Sequence, residues 1–193
     1  MYVDRILYPV TSLGPGKRLC IWVSGCNARC EGCANPELWT QRPEQFISVE
    51  NLALAIKKSV MGKEIEGITI SGGEPFDQAV DVIKLLNLLN CKVDILVFSG
   101  YLYEEIKNDI TKNMLLEMID VLVDGRYIEE LNDGRSALKG SSNQCIYILN
   151  EKKEKLYDDY LKQGRQIQNF VYDYKTLSVG IHKNDINTNE NRS

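Results

Sequence analysis

Apolar and polar residues alternate along the chain in a pattern that predicts strands and helices in turn. Short runs rich in β-branched and aromatic residues predict strands before residue 17 and at 18–23, 65–70, 93–98, 121–123, 145–149, 168–172 and 177–181. Apolar residues at helical spacing predict helices after Ser48, after Asp77 and from about Tyr103, followed by a charged helix over 151–163. The chain therefore reads as repeated β/α units.

Repeated β/α units predict a parallel sheet with right-handed crossovers. The chain has 193 residues, whereas a complete eight-fold barrel takes about 250. An open partial barrel or a doubly wound sheet is the expected architecture. We expect one domain over residues 1–182, followed by a polar, Asn-rich tail over 183–193 that is predicted to be disordered.

Composition and charge narrow the functional classes. Hydrophobic residues make up 44% and charged residues 26%, and the net charge is −4, which gives no electrostatic reason to expect nucleic acid as a direct partner. The N-terminus lacks a basic segment followed by an apolar one, so no signal peptide is predicted. No apolar run approaches the roughly 20 residues that span a bilayer. These features predict a cytoplasmic protein that does not enter a membrane.

Three of the six cysteines, Cys26, Cys30 and Cys33, lie close together in the loop after the strand at 18–23. Clustered cysteines in a cytoplasmic chain are typical metal ligands, and three ligands without a fourth leave an open coordination position. Zinc with a remote fourth ligand and a chance cluster of thiols remain alternatives. His182, the only histidine, lies beside the polar tail and is a poor fourth ligand.

The other three cysteines, Cys20, Cys91 and Cys145, lie in or beside apolar runs. We expect them to be small buried apolar residues.

A second turn of chemical interest, Ser71-Gly72-Gly73-Glu74-Pro75, follows the strand at 65–70. Adjacent glycines allow a backbone to approach a ligand closely, and the carbonyls at the end of a strand suit an ammonium group. Ser99 and Asp124 follow later strands. Because the carboxyl ends of parallel strands meet at one edge of a sheet, all of these loops are expected to converge on one face.

The spacing Cys26-x3-Cys30-x2-Cys33, together with Gly72-Gly73-Glu74-Pro75 and the β/α order, resembles the radical S-adenosylmethionine (SAM) enzymes. Within that superfamily the chain resembles the activating enzymes of anaerobic (class III) ribonucleotide reductase. The narrower likeness lies in short motifs, namely Gly14-Pro15-Gly16-Lys17-Arg18, Val23-Ser24-Gly25-Cys26, Asn35-Pro36-Glu37-Leu38-Trp39, Ser99-Gly100-Tyr101, Val123-Asp124-Gly125 and Gly140-Ser141-Ser142-Asn143-Gln144. These motifs span most of the chain.

The resemblance implies a partial (β/α) barrel of about six parallel units, of the radical SAM type. It implies that Cys26, Cys30 and Cys33 bind one [4Fe-4S] cluster, which cleaves SAM to methionine and a 5′-deoxyadenosyl radical. The expected SAM contacts are Ser71, Gly72, Gly73 and Glu74 at the methionine amine, Gly32 and Ala34 near the adenine, and Ser99 and Asp124 as polar contacts.

The expected partners are a larger glycyl-radical protein, the anaerobic ribonucleotide reductase, and an electron donor such as flavodoxin or ferredoxin. Most radical SAM enzymes carry an aromatic residue just before the third cysteine, whereas this chain has Gly32, as the reductase activators do.

Three functional hypotheses follow. The first is a radical SAM activase that stores a glycyl radical on a partner. The second is a radical SAM enzyme that modifies a peptide or a small molecule. The third is a non-catalytic zinc-binding module. Lys17 and Arg18 are interpreted either as a contact to an anion or a partner or as part of a solvated loop.

Overall fold

The computed structural model describes residues 1–172 and 175–182, so the predicted disordered tail lies outside the described residues. The strands are β1 Val3–Val10, β2 Arg18–Val23, β3 Gly67–Gly72, β4 Asp94–Phe98, β5 Val121–Asp124, β6 Cys145–Ile148, β7 Ile167–Tyr172 and β8 Lys175–Gly180. The α-helices are α1 Val49–Ser59, α2 Ala79–Leu89, α3 Tyr103–Asn108, α4 Ile110–Leu116 and α5 Glu154–Leu161. Every predicted strand and helical region has a counterpart.

Strands β1 to β6 form one six-stranded sheet in chain order. The four central strands, β2 to β5, are parallel, whereas β1 and β6 pair antiparallel at the two edges. The expectation of about six parallel units was therefore wrong at both edges, because β1 and β6 are joined to their neighbours by loops rather than by crossover helices. The result is an α/β fold with a mixed sheet, which is compatible with a partial barrel.

The first two helices cover the same side of the sheet. Helix α1 starts at Ser48, whose hydroxyl accepts from the Asn51 N–H as the sequence predicts. Its apolar face buries Val49, Leu52, Ala53 and Ile56 against α2 and the central strands. Residues of α1, α2 and α4 pack with those of the central strands in one apolar cluster.

The entry into α2 differs from the expectation. Asp77 was predicted to cap this helix, but it lies inside a 3-10 turn, Pro75–Gln78, that precedes α2. The N-cap of that turn is Glu74, whose carboxylate accepts from the Phe76 N–H at 3.0 Å. Glu74, rather than Asp77, therefore fixes the start of the segment that follows β3.

Arg18 is fully buried at the amino ends of the parallel strands, which rules out a solvated loop. Its guanidinium forms an ion pair with Asp94 at 2.6 Å and donates to the Thr69 hydroxyl and to the carbonyls of Pro15 and Ile68. The Tyr157 hydroxyl donates to the same Asp94 carboxylate at 2.7 Å. This network ties β2, β3, β4 and α5 together, because a buried charge is stable only when it is paired and hydrogen-bonded.

Strands β7 and β8 form a separate antiparallel hairpin. Val179 of β8 is buried in an apolar cluster with Val10, Leu13, Trp22 and Leu38. The Ser12 hydroxyl donates to the Val179 carbonyl at 2.8 Å, and the Thr11 N–H donates to the Gln168 side chain at 2.9 Å. The hairpin is thereby fixed to the connection between β1 and β2.

The cysteines outside the three-cysteine loop differ in burial. Cys20 is buried, and burial raises the pKa of its thiol to about 12. Cys91 and Cys145 are exposed, so the expectation of burial was wrong for these two.

Within residues 1–172 and 175–182, no helix is both long and apolar enough to cross a membrane.

Candidate functional site

The three-cysteine loop follows the carboxyl end of β2, and main-chain hydrogen bonds to the segment after the loop hold it in place. The Gly25 N–H donates to the Leu38 carbonyl at 2.8 Å, and the Cys26 N–H donates to the Trp39 carbonyl at 3.0 Å. A tight turn follows, in which the Cys33 N–H donates to the Cys30 carbonyl at 3.2 Å. Gly32 occupies the third position of that turn with a φ of 69°, a conformation that glycine adopts without strain.

Cys26, Cys30 and Cys33 are all half-buried and line one cavity of about 600 Å³. The size is typical of a small-molecule site. Burial raises the pKa of the Cys26 thiol, although hydrogen bonds from the Ala28 and Arg29 backbone oppose this effect. Among the residues that the structure describes, no three Cys, His, Asp or Glu side chains are grouped closely enough to hold a single metal ion.

The donor set fits a cluster, because an iron–sulfur cluster binds thiolates on separate iron atoms. Three thiols of one loop line the cavity wall, which is the arrangement that such a cluster requires of its ligands. The other walls of the cavity come from the ends of β3, β4 and β5, so a ligand beside the cysteine loop would contact these strand ends.

The Ser71–Glu74 turn lies directly against the start of the cysteine loop. The Gly73 N–H donates to the Val23 carbonyl at 2.7 Å, and the Glu74 N–H donates to the Gly25 carbonyl at 2.8 Å. A Cβ at Gly72 would lie 2.3 Å from the Val23 oxygen, and a Cβ at Gly73 would lie 2.3 Å from the Gly25 oxygen. The two glycines therefore allow two strand ends to touch, a close approach that only glycine permits.

Gly73→Ala is expected to lower the free energy of unfolding by about 1–3 kcal/mol, since overpacking against a fixed backbone costs energy of this order. The variant should also load less iron, because the displaced atom belongs to the cysteine loop. Urea unfolding and iron analysis measure the two effects. Gly100→Ala is the matched control, since its nearest contact would be an ordinary 3.4 Å to Glu74. Equal stability of the two variants would contradict the packing argument.

Glu74 connects the ends of β3 and β4 through its buried carboxylate. One oxygen accepts from the Phe76 N–H at 3.0 Å and from the Ser99 hydroxyl at 2.9 Å, and the other accepts from the Gly100 N–H at 2.7 Å. Burial raises the pKa of this carboxyl to about 7, although all three hydrogen bonds lower it. The Glu74 side chain lines the cavity and joins the end of β3 to the end of β4 by hydrogen bonds.

The raised pKa predicts a pH dependence of stability for the metal-free protein. The ordinary pKa of the carboxyl is 4.5, so between pH 4.5 and about 7 the folded state binds more protons than the unfolded state. The free energy of unfolding should therefore fall as the pH rises through this window. Urea midpoints measured at several pH values test this, with Glu74→Gln as the control that should lose most of the slope. An identical slope in both proteins would contradict it.

Most of the remaining predicted site residues come together in this cavity. Gly32, Ala34, Ser71 and Ser99 line it with the residues already described. Asp124 does not, since its carboxylate accepts from the Tyr103 N–H at 2.7 Å and the Cys145 N–H at 3.1 Å. Its neighbour Gly125 lines the cavity instead. The convergence of strand-end loops that the sequence predicts is thus present, with Asp124 behind the wall.

Several lining residues were not identified from the sequence. Arg5, Tyr127 and Leu138 line the cavity, and β8 with the two residues after it contributes residues 177–182, which include His182. The Gly140–Gln144 motif could have indicated part of this wall. Gln144 accepts from the Gly140 N–H and donates to the Gly125 carbonyl, both at 2.8 Å. The hairpin carries no comparable motif.

Residues 12–147 match the family described as 4Fe-4S single cluster domain. The match covers β2 to β5 and the three-cysteine loop. Together with the cavity, it defines an α/β protein with one [4Fe-4S] cluster domain.

Curated relatives identify the particular family. Anaerobic ribonucleoside-triphosphate reductase-activating proteins are 32% identical over 150 residues in Escherichia coli K12, 33% over 156 residues in Enterobacteria phage T4 and 34% over 154 residues in Vibrio cholerae. These alignments cover 74%, 76% and 72% of this chain and 96%, 94% and 94% of the relatives. The chain belongs to this family of reductase-activating proteins.

Proposed function

We propose that the chain is a radical SAM activase that generates a glycyl radical on an anaerobic ribonucleotide reductase. The observation that carries the proposal is the cavity that the three cysteines line together with the Ser71–Glu74 turn. Membership of the family of reductase-activating proteins supports the same activity and the same partner. The mixed sheet would then be a partial barrel of the radical SAM type, in a single domain over residues 1–182.

Cys26, Cys30 and Cys33 would each bind one iron of a [4Fe-4S] cluster. Three protein ligands would leave one coordination position of the cluster open to SAM. The cluster would supply the electron for the reductive cleavage of SAM, and the radical chemistry that follows would store a glycyl radical on the reductase. The tasks of this chain are to bind, orient and shield, since the cofactors supply the redox chemistry.

The Ser71–Glu74 turn would bind the methionine amine. The N–H groups of Gly73 and Glu74 donate to the carbonyls of Val23 and Gly25, so the turn would offer its main-chain carbonyls to the ammonium group. Glu74 fixes the turn through Ser99 and Gly100, and a bound ammonium group would favour the charged form of its carboxyl. Ser99 therefore acts beside SAM, and Asp124 acts one step further out by fixing the loop that carries Gly125.

The backbone of Gly32 and Ala34 would pass near the adenine. An electron donor such as flavodoxin or ferredoxin, in the cytoplasm, would reduce the cluster. The reductase would supply the remaining wall of the site and the acceptor glycine. No direct contact with nucleic acid or membrane is part of the proposal.

One experiment tests the proposal as a whole. The protein is reconstituted anaerobically with iron and sulfide, reduced, and incubated with SAM and the anaerobic reductase. A glycyl-radical EPR doublet on the reductase, together with stoichiometric 5′-deoxyadenosine, is the expected result. SAM cleavage without the doublet would favour a radical SAM enzyme that modifies a peptide or a small molecule. A colourless protein with stoichiometric zinc would overturn the proposal in favour of a zinc-binding module.

A further inference from the structure

We propose that the carboxylate of Glu129 lowers the reduction potential of the [4Fe-4S] cluster, because it places a negative charge beside the loop that carries the cluster ligands. The inference rests on the cluster of the proposed function and does not depend on SAM. Glu129 lies in the segment that follows β5, far from the cysteines in sequence, and its side chain is half-buried. No local sequence pattern connects it with the cysteine loop.

Glu129 lies in direct contact with the three-cysteine loop at Gly32. A Cβ at Gly32 would overlap a carboxylate oxygen of Glu129 and would lie 2.6 Å from the carboxyl carbon. Gly32 stands directly before Cys33, whose N–H donates to the Cys30 carbonyl at 3.2 Å. The carboxylate therefore lies against the turn that carries two of the three ligands, in the space that a side chain at position 32 would need.

The contact is separate from the space for a small ligand, and its charge is not balanced by a nearby cation. Glu129 is absent from the described residues that line the cavity. None of the ion pairs formed among the described residues involves Glu129. Within the part of the chain that the structure describes, the negative charge therefore acts on the cysteine loop without a paired counter-ion.

The backbone that carries the carboxylate is itself fixed. Glu129 belongs to a 3-10 turn, Glu129–Leu131. Just before this turn, the Ile128 N–H donates to the Ser141 hydroxyl at 3.1 Å, and at its end the Leu131 carbonyl accepts from the Ser142 N–H at 2.8 Å. Both serines belong to a motif that the sequence analysis singles out. That motif thus holds the turn which presents Glu129 to the cysteine loop.

The direction of the effect follows from electrostatics. One-electron reduction makes the cluster more negative by one charge, so a nearby carboxylate disfavours the reduced form and lowers the potential. Net charge and solvent exposure are among the factors that set the potentials of such clusters. At an effective dielectric constant of about 20, a unit charge at roughly 10 Å changes an equilibrium of this kind by about tenfold. Solvent and salt around a half-buried group reduce the effect.

The alternative is that Glu129 only packs against the loop. Glu129→Gln separates the two roles, since it keeps the size and shape of the side chain but removes the charge. Glu130→Gln is the matched control, because it removes the same charge from an exposed position in the same 3-10 turn. A packing role predicts the same potential in the unaltered protein and both variants.

The test is an anaerobic redox titration of the reconstituted full chain, followed by EPR of the reduced cluster, without SAM and at physiological ionic strength. We expect Glu129→Gln to shift the equilibrium by about three- to tenfold towards the reduced cluster, which is roughly 30 to 60 mV for a one-electron couple. Glu130→Gln should change the equilibrium by less than about twofold, because an exposed charge is screened. Iron and sulfide analysis confirms that each protein carries one cluster.

An unchanged or lowered potential in Glu129→Gln, or an equal shift in Glu130→Gln, would overturn the proposal. Failure of Glu129→Gln to load a cluster would assign Glu129 a structural role and would overturn it as well. If the unaltered protein itself loads no cluster, the proposed function fails instead. The two failures are therefore distinguishable.

Discussion

Replacing Cys26, Cys30 or Cys33 by alanine is expected to reduce SAM cleavage to background in each single variant. Each thiol would bind a different iron, so the loss of one leaves the cluster with two protein ligands. Such a variant should lose iron on desalting and should lack the EPR signal of a reduced cluster. Iron and sulfide analysis, EPR spectroscopy and quantification of 5′-deoxyadenosine measure these outcomes. Replacing a residue that only hydrogen-bonds to a metal ligand lowers metal affinity by about 10- to 100-fold. Replacing one of the three ligands themselves is expected to lower it further.

Cys145→Ala and Cys91→Ala are the matched controls for the cysteine variants. Both thiols are exposed and absent from the residues that line the cavity. Each control should keep its iron content and its SAM cleavage. Retention of full activity in all three loop variants would refute the cluster assignment. Loss of activity in either control would show that replacing a cysteine disturbs the fold, and would contradict the assignment of the effect to the loss of a cluster ligand.

Arg18→Met is expected to lower the free energy of unfolding by about 3–5 kcal/mol, because it leaves a buried carboxylate without its counter-ion. The Arg18 side chain is 0% exposed and that of Asp94 is 1% exposed, so water cannot replace the lost partner. Small domains are stable by only about 5–15 kcal/mol. The variant should therefore unfold at a much lower urea concentration, measured by circular dichroism on the metal-free protein.

Lys17→Met is the control for Arg18→Met. Lys17 forms an exposed pair with Glu64 at 3.7 Å, and its loss should change the free energy of unfolding by less than about 1 kcal/mol. The double variant Arg18→Met with Asp94→Leu removes both charges and should recover much of the loss. A small effect of Arg18→Met alone, comparable to that of Lys17→Met, would contradict the assigned role of the ion pair.

The positions of the strands along the chain and the site loops could be predicted from the sequence because their signals are local. The apolar runs, the three-cysteine spacing and the adjacent glycines each lie within a few residues. The contacts between strand ends then follow from the common direction of β2 to β5. The direction of β1 and β6 could not be predicted in this way, since an edge strand and a central strand can carry similar runs.

Arg18, Tyr127 and His182 illustrate what sequence alone leaves open. Arg18 stands next to the exposed Lys17 in a loop-like segment, and only its non-local partner Asp94 explains its burial. Tyr127 and His182 enter the cavity because distant segments fold over the cysteine loop. Such contacts depend on tertiary packing, which composition and periodicity do not encode.

The hairpin β7–β8 is the part of the cavity wall that is synthesised last. It contacts the β1–β2 connection through the pairs Thr11–Gln168 and Ser12–Val179, which are separated by 157 and 167 residues. Because the chain is synthesised from its N-terminus, the three cysteines leave the ribosome long before the hairpin. The cavity therefore stays open on the side of the hairpin until β7 and β8 have been made and have folded.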